Sequence, residues 1–169
     1  MTKQGHFKIG VGVALAGAAL TYSLTHNAYY AAATFTLAAL SSSIPDTLEI
    51  PIWRKGERYS IIPHRTITHW VPAWALLVGA IAWQTLYLGS SALGLPEIAE
   101  LVVYSIAIGA LGHCIADMMT PMGVPVILPF WRNSLYVCAS GSAENFIAIL
   151  SFAIGGGLLC VSLGILSSS

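Results

Sequence analysis

The chain has 169 residues, 56% of them hydrophobic and only 8% charged, with seven basic and seven acidic side chains that cancel. Mean hydropathy is +0.76. An average soluble domain carries roughly 25% charged residues, so this composition excludes a soluble fold. It also excludes a nucleic-acid partner, because the one basic run, around Arg54 and Lys55, is too short. Cys114, Cys138 and Cys160 are odd in number and widely spaced, which gives no disulfide framework. The expected fold is all-α: a polytopic membrane helix bundle forming a single integral membrane domain over 1–169.

A spanning helix needs about 20 mostly apolar residues. The first such stretch is 7–24. Lys3 and Lys8 give it the look of a signal peptide, but it reads as a first transmembrane helix. A shorter stretch, 28–44, ends in Ser41–Ser43 and leads into a polar pocket rather than lipid. After a long loop, Pro45–His69, come stretches 70–89 and 97–119, joined by a short connection. A second long loop, Thr120–Ala143, is apolar yet carries three prolines. That predicts a re-entrant or interfacial segment around 121–140. The last stretch is 144–166, making about five transmembrane helices.

Cytoplasmic loops are enriched in Lys and Arg. Lys3, Lys8, Arg54, Lys55, Arg58, Arg65 and Arg132 all fall on one side of this five-pass arrangement, and the short connections carry none. The N-terminus is therefore expected to be cytoplasmic and the C-terminus external. Most Trp and Tyr residues fall near helix ends, as interfacial aromatics do.

The same topology brings several polar islands to one face. His6 precedes the first helix. Asp46 and Glu49 follow the second. His64 and His69 precede the third, His113 and Asp117 lie in the last turns of the fourth, and Glu144 opens the fifth. A carboxylate at a helix centre costs roughly 2.5–3.5 kcal/mol on insertion scales, less near an interface. Clustering therefore needs a compensating partner. His113 and Asp117 are spaced i, i+4 and share a helix face, a natural two-ligand spacing for a divalent metal. Asp46 and Glu49, at i, i+3, share a face if helical, with Pro45 as a first-turn residue. His64 and His69 join one site only if the chain bends between them.

The inventory predicts metal ligands among His6, Asp46, His64, His69, His113 and Asp117. The metal is expected to be divalent, one ion or more, most simply zinc, with iron, manganese or nickel as alternatives. A water activated by that metal would be the nucleophile. Glu49 or Glu144 is the expected general base, and Arg65 the expected clamp for an anionic oxygen. An ion-pair network using Arg65 and Lys8, or helix-start roles for Glu144 and Asp46, would account for some of these residues without metal. His26, alone on the opposite face, receives no role.

The order of SIPD, HRTITHW and GHCIADMMTPMGVPVILPF resembles the YdjM-like family of bacterial inner-membrane proteins, regarded as metal-dependent hydrolases. The shared pattern falls on His6, Pro45–Asp46, His64–Arg65, Thr68–His69, Asp117, Thr120, Gly123 and Pro129. Many members carry a second Asp two residues after the first; this chain has Leu48 there, with Glu49 beside it. His113–Asp117 is also similar to the His-x-x-x-Asp pairs of zinc-dependent phospholipase C and P1 nuclease. These resemblances imply an inner-membrane hydrolase acting on a phosphoester of a lipid or lipid-linked substrate. Two other classes compete. One is a proton or metal ion transporter, since intramembrane His and Asp mark such paths. The other is a non-catalytic membrane scaffold, with Gly155–Gly157 as a homo-oligomer contact.

Overall fold

The computed structural model describes residues 2–87, 93–137 and 143–165. Helix α1 is Lys3–Thr25, α2 Ala28–Leu40, α3 Ile44–Thr47, α4 Val71–Tyr87, α5 Glu97–Met118 and α6 Glu144–Ser162. Two short antiparallel hairpins interrupt them: β1 (Pro51–Arg54) with β2 (Glu57–Ser60), and β3 (Val124–Pro125) with β4 (Arg132–Asn133). The architecture is a helical membrane bundle with only minor sheet.

Three helices are long and apolar enough to cross a bilayer among the described residues: Gln4–Thr25, Glu97–Met118 and Glu144–Ser162. The other two expected spans are shorter. The apolar stretch of α4 covers Val71–Thr85, and the end of the expected 70–89 helix lies outside the described residues. Helix α2 stops at Leu40 after 13 residues. The chain then tightens into a 3-10 turn, Ser41–Ser43, and resumes as α3 with Pro45 in its first turn. The tightened turn buries Ser41 and Ser42 against α5, so this second arm descends into protein rather than lipid.

The start of α1 differs from the sequence expectation. Thr2 is the N-cap, its hydroxyl accepting from the Gly5 amide, and the helix begins a turn earlier than 7–24. His6 therefore sits within the helix instead of preceding it. At the far end His26 caps α1 in the left-handed conformation, φ 51°, its amide donating to the Tyr22 carbonyl. That is a structural use for the lone histidine.

Small residues set how the helices meet. Gly12 lies against Ser151, and Gly155 lies against the Gly12 carbonyl and Leu15, so α1 and α6 run parallel in backbone contact. Gly109 packs on Ala38 and Ser41, placing α2 parallel to α5. Val13 meets Gly112 and Ile108 meets Gly17, placing α1 antiparallel to α5. A core of Ala14, Ala38, Ile81, Tyr104 and Ile108 fills the middle of the bundle. Gly155 is thus spent inside the chain, while Gly156 and Gly157 face open space. The consequence for function is positional: the starts of α1, α4 and α6 and the ends of α2 and α5 share one end of the bundle.

Candidate metal centre

At that end, α5 presents His113 and Asp117 one turn apart, both buried. The predicted i, i+4 pairing is observed: His113 Nε2 lies 3.6 Å from Asp117 Oδ2. His69 arrives on a 3-10 turn, Ile67–His69, and its Nε2 stands 3.2 Å from His113 Nε2. The bend required between His64 and His69 is supplied by the backbone. Arg65 adopts φ 56°, a left-handed conformation uncommon outside glycine, and Thr66 follows at φ -117°, ψ -119°. The His64 and His69 rings then meet edge to face at 5.5 Å.

Four atoms converge. His69 Nε2 lies 3.5 Å from Asp46 Oδ1 and 3.7 Å from Asp117 Oδ2. His113 Nε2 lies 3.8 Å from Asp46 Oδ1. The outward-facing ring nitrogens are already committed. His113 Nδ1 is 2.7 Å from the Ser42 carbonyl, which can only accept, so the proton sits on Nδ1. His69 Nδ1 is 3.0 Å from Thr68 Oγ1 and 3.4 Å from Glu49 Oε1. His113 Nε2 is left presenting a lone pair, and His69 Nε2 stands beside it, facing two carboxylate oxygens. Asp46 Oδ1 is itself buried with no hydrogen-bond partner. Imidazole nitrogens and carboxylate oxygens at this spacing are donor types that a divalent cation takes as ligands. Tetrahedral zinc with ligand bonds of 2.0–2.2 Å places its donors about 3.3–3.6 Å apart. The groups Asp46, Glu49, His64, His69 and His6, His113, Asp117 have the donor types and separations to hold a metal ion.

Burial alone would raise the Asp46 carboxyl pKa, but the neighbouring imidazoles of His69, His113 and His64 outweigh it and hold the group below its ordinary range. Asp46 and His64, 30% and 40% exposed, form the open side of the centre. The remaining members are closed off from solvent.

The other expected site residues take supporting positions. Glu49 is fully buried; it accepts from His64 Nδ1 at 2.8 Å and from the Arg65 amide at 3.0 Å, and it stands behind His69. A carboxylate behind a ligating imidazole fixes its orientation and tautomer. Arg65 is buried: one terminal nitrogen donates to Asp117 Oδ1 at 2.7 Å, the other to Thr120 Oγ1 at 3.0 Å and to the Gly123 carbonyl at 3.4 Å. Both its terminal nitrogens are turned onto the protein. His6 Nε2 lies 3.2 Å from the same Asp117 oxygen, and its ring stacks on His113 at 3.9 Å. Glu144 does not join the cluster through these contacts; both its oxygens hold Thr2, amide and hydroxyl, tying the start of α6 to the start of α1.

Three supporting residues were absent from the sequence expectation as site members: Ser42, Thr68 and Thr120. Ser42 acts through its carbonyl, which every residue type carries, so no sequence signal could single it out. Thr120 belongs to the shared family pattern, and its hydroxyl connects Arg65 to the Asp117 carbonyl.

No curated protein and no solved structure matches this chain. A model of the YdjM inner membrane protein family matches residues 1–166, a span that takes in every residue of the centre. The chain belongs to the YdjM inner membrane protein family.

Proposed function

We propose that the protein is a membrane-embedded metal-dependent hydrolase that cleaves a phosphoester of a lipid or lipid-linked substrate. The observation that carries this reading is the convergence of His69 Nε2, His113 Nε2, Asp46 Oδ1 and Asp117 Oδ2 at separations of 3.2–3.8 Å, with the other ring nitrogens already engaged. Three of His69, His113, Asp46 and Asp117 would hold one divalent ion and leave a position open to water, zinc being the simplest fit to this nitrogen and oxygen set. Bound there, the ion would supply Lewis acidity and lower the pKa of a water toward 7.

The chain's own groups do the rest. Arg65 and His6 hold Asp117 Oδ1, which leaves Oδ2 aimed at the two imidazoles. An arginine 2.7 Å from Oδ1 also disfavours a second cation on that oxygen, so a one-ion centre is the reading adopted. Glu49 orients His64 and His69. It is a positioning residue in place of the general base expected from its type. His64, the most exposed imidazole of the group, stands at the mouth and is the side chain placed to meet a phosphoester.

Elemental analysis of purified protein tests the metal half of this reading without an activity assay. About one divalent ion per chain is expected, falling to background in His113→Ala and in Asp117→Asn. Folded wild-type protein that binds no divalent ion would overturn it. Release of phosphate or headgroup from lipid substrates, lost with the metal, tests the hydrolase half.

A further inference from the structure

The β1–β2 hairpin is exposed on both faces. Its register pairs Ile52 with Tyr59 and Trp53 with Arg58. Ile52, Trp53, Tyr59 and Ile61 are all exposed, Trp53 to 71%. An isolated two-stranded ribbon is at best marginally stable in water, and apolar side chains on both sides add exposed area that something must cover. The same ribbon is basic. Arg54, Lys55 and Arg58 against Glu57 leave it two charges positive. One face cups a hollow of about 560 Å³ lined by Ile52, Arg54, Lys55, Glu57 and Tyr59.

The ribbon's place in the fold says what covers it. It hangs from the polar end of a bundle whose long helices are membrane-crossing in length and composition. Its base is pinned beside the metal centre, Ile61 donating to the Ile50 carbonyl and Ile62 to the Glu49 carbonyl, and two residues later the chain reaches His64. A ribbon that is aromatic, aliphatic and cationic at the end of a spanning bundle has the composition of an interfacial anchor for negatively charged lipid. We propose that β1–β2 is a membrane-surface finger that binds the headgroups of an anionic lipid leaflet and, through Glu49 and His64, holds the mouth of the centre in that headgroup layer. The hollow takes the phosphate, with Arg54 and Lys55 as counter-charges and Ile52 and Tyr59 as its apolar wall, while Trp53 on the other face enters the acyl boundary. The finger itself is independent of the proposed hydrolysis; only its consequence for substrate approach rests on that reading.

The test uses the full chain in vesicles whose acyl chains are brominated near the carbonyl, either phosphatidylcholine alone or phosphatidylcholine mixed with phosphatidylglycerol. The Trp53 contribution is the difference between wild type and Trp53→Phe. The expected result is quenching of that contribution by brominated lipid in mixed vesicles. It should fall by about half or more in phosphatidylcholine alone and in the Arg54→Glu, Lys55→Glu variant. Two results would overturn the proposal. One is a Trp53 contribution untouched by brominated lipid and quenched by aqueous iodide. The other is quenching that tracks protein-to-lipid ratio in place of lipid charge, which would assign the ribbon to a second copy. Metal content and turnover do not enter this readout, so its failure leaves the metallohydrolase reading standing, and the reverse.

Discussion

The two ends of the helix bundle solve the same problem differently. At the end away from the metal centre, the buried polar groups are mostly hydroxyls that bond to their own helix. Thr21 donates to the Gly17 carbonyl and Ser105 to the Leu101 carbonyl. Each is satisfied four residues back, before any tertiary contact exists. At the site end, satisfaction comes from across the fold: Glu49 with His64, Arg65 with Asp117, His113 with Ser42, His6 with Asp117. Thr21 and Ser105 also reach across to the Thr34 hydroxyl, but losing such a neutral contact strands no charge. Cross-chain groups hold one another, and the loss of one leaves a buried charge exposed to a low-dielectric interior.

That contrast sets the size of expected effects. The largest belongs to Asp117→Ala, which strands the buried Arg65 guanidinium; breaking a buried pair on one side costs about 3–5 kcal/mol. Thermal unfolding in detergent should show a loss of this order, and metal content should vanish with it. An unchanged midpoint would mean that Arg65 finds another acceptor and that the two ends respond alike. Next comes Gly155→Leu, whose side chain would overlap the Gly12 carbonyl of α1. Overpacking of this kind costs typically 1–3 kcal/mol, and the melting midpoint should drop while metal per folded chain stays constant. Glu49→Gln sharpens the comparison from the other side. It keeps the shape but weakens the hold on His69, so metal affinity measured by competition with a chelator should fall about 10–100-fold. Unchanged affinity would remove Glu49 from its positioning role. Smallest is Thr21→Val at the far end, expected to cost about 1 kcal/mol or less, with metal content intact.

Much of the site was legible in sequence because its chemistry is rare in an apolar chain. His113–Asp117 could be read from spacing alone, and the loop charges placed the remaining islands on the same face. Roles were harder to read than positions. Arg65 looked like an anion clamp because guanidinium suits that task; only the fold shows its terminal nitrogens turned onto Asp117, Thr120 and Gly123. Glu49 and Glu144 looked interchangeable as bases, yet one stands behind His69 and the other ties Thr2. Side-chain type predicts what a group can do, and its neighbours decide which of those things it does. In the fold, the shortening of α2 followed from local competition. Three serines in a row favour a tightened turn over continued α-helix, and apolar content alone does not register this. The hairpins escaped notice for a related reason: β1–β2 and β3–β4 are four- and two-residue strands, too short for alternation to stand out.

The parallel seating of α6 on α1 has a consequence for biogenesis. The donors of the centre come from residues 46 to 117, and Arg65 and His6 also precede α6. The proposed ligand set therefore lies wholly ahead of α6 in the chain. The last helix docks on Gly12 and the Thr2 amide of α1, and its Ile147 and Ala148 pack in one cluster with Ala116 beside Asp117. The expected order is that the proposed centre forms first and α6 seals the bundle afterwards. A chain ended before residue 144 that failed to capture metal during insertion would contradict that order.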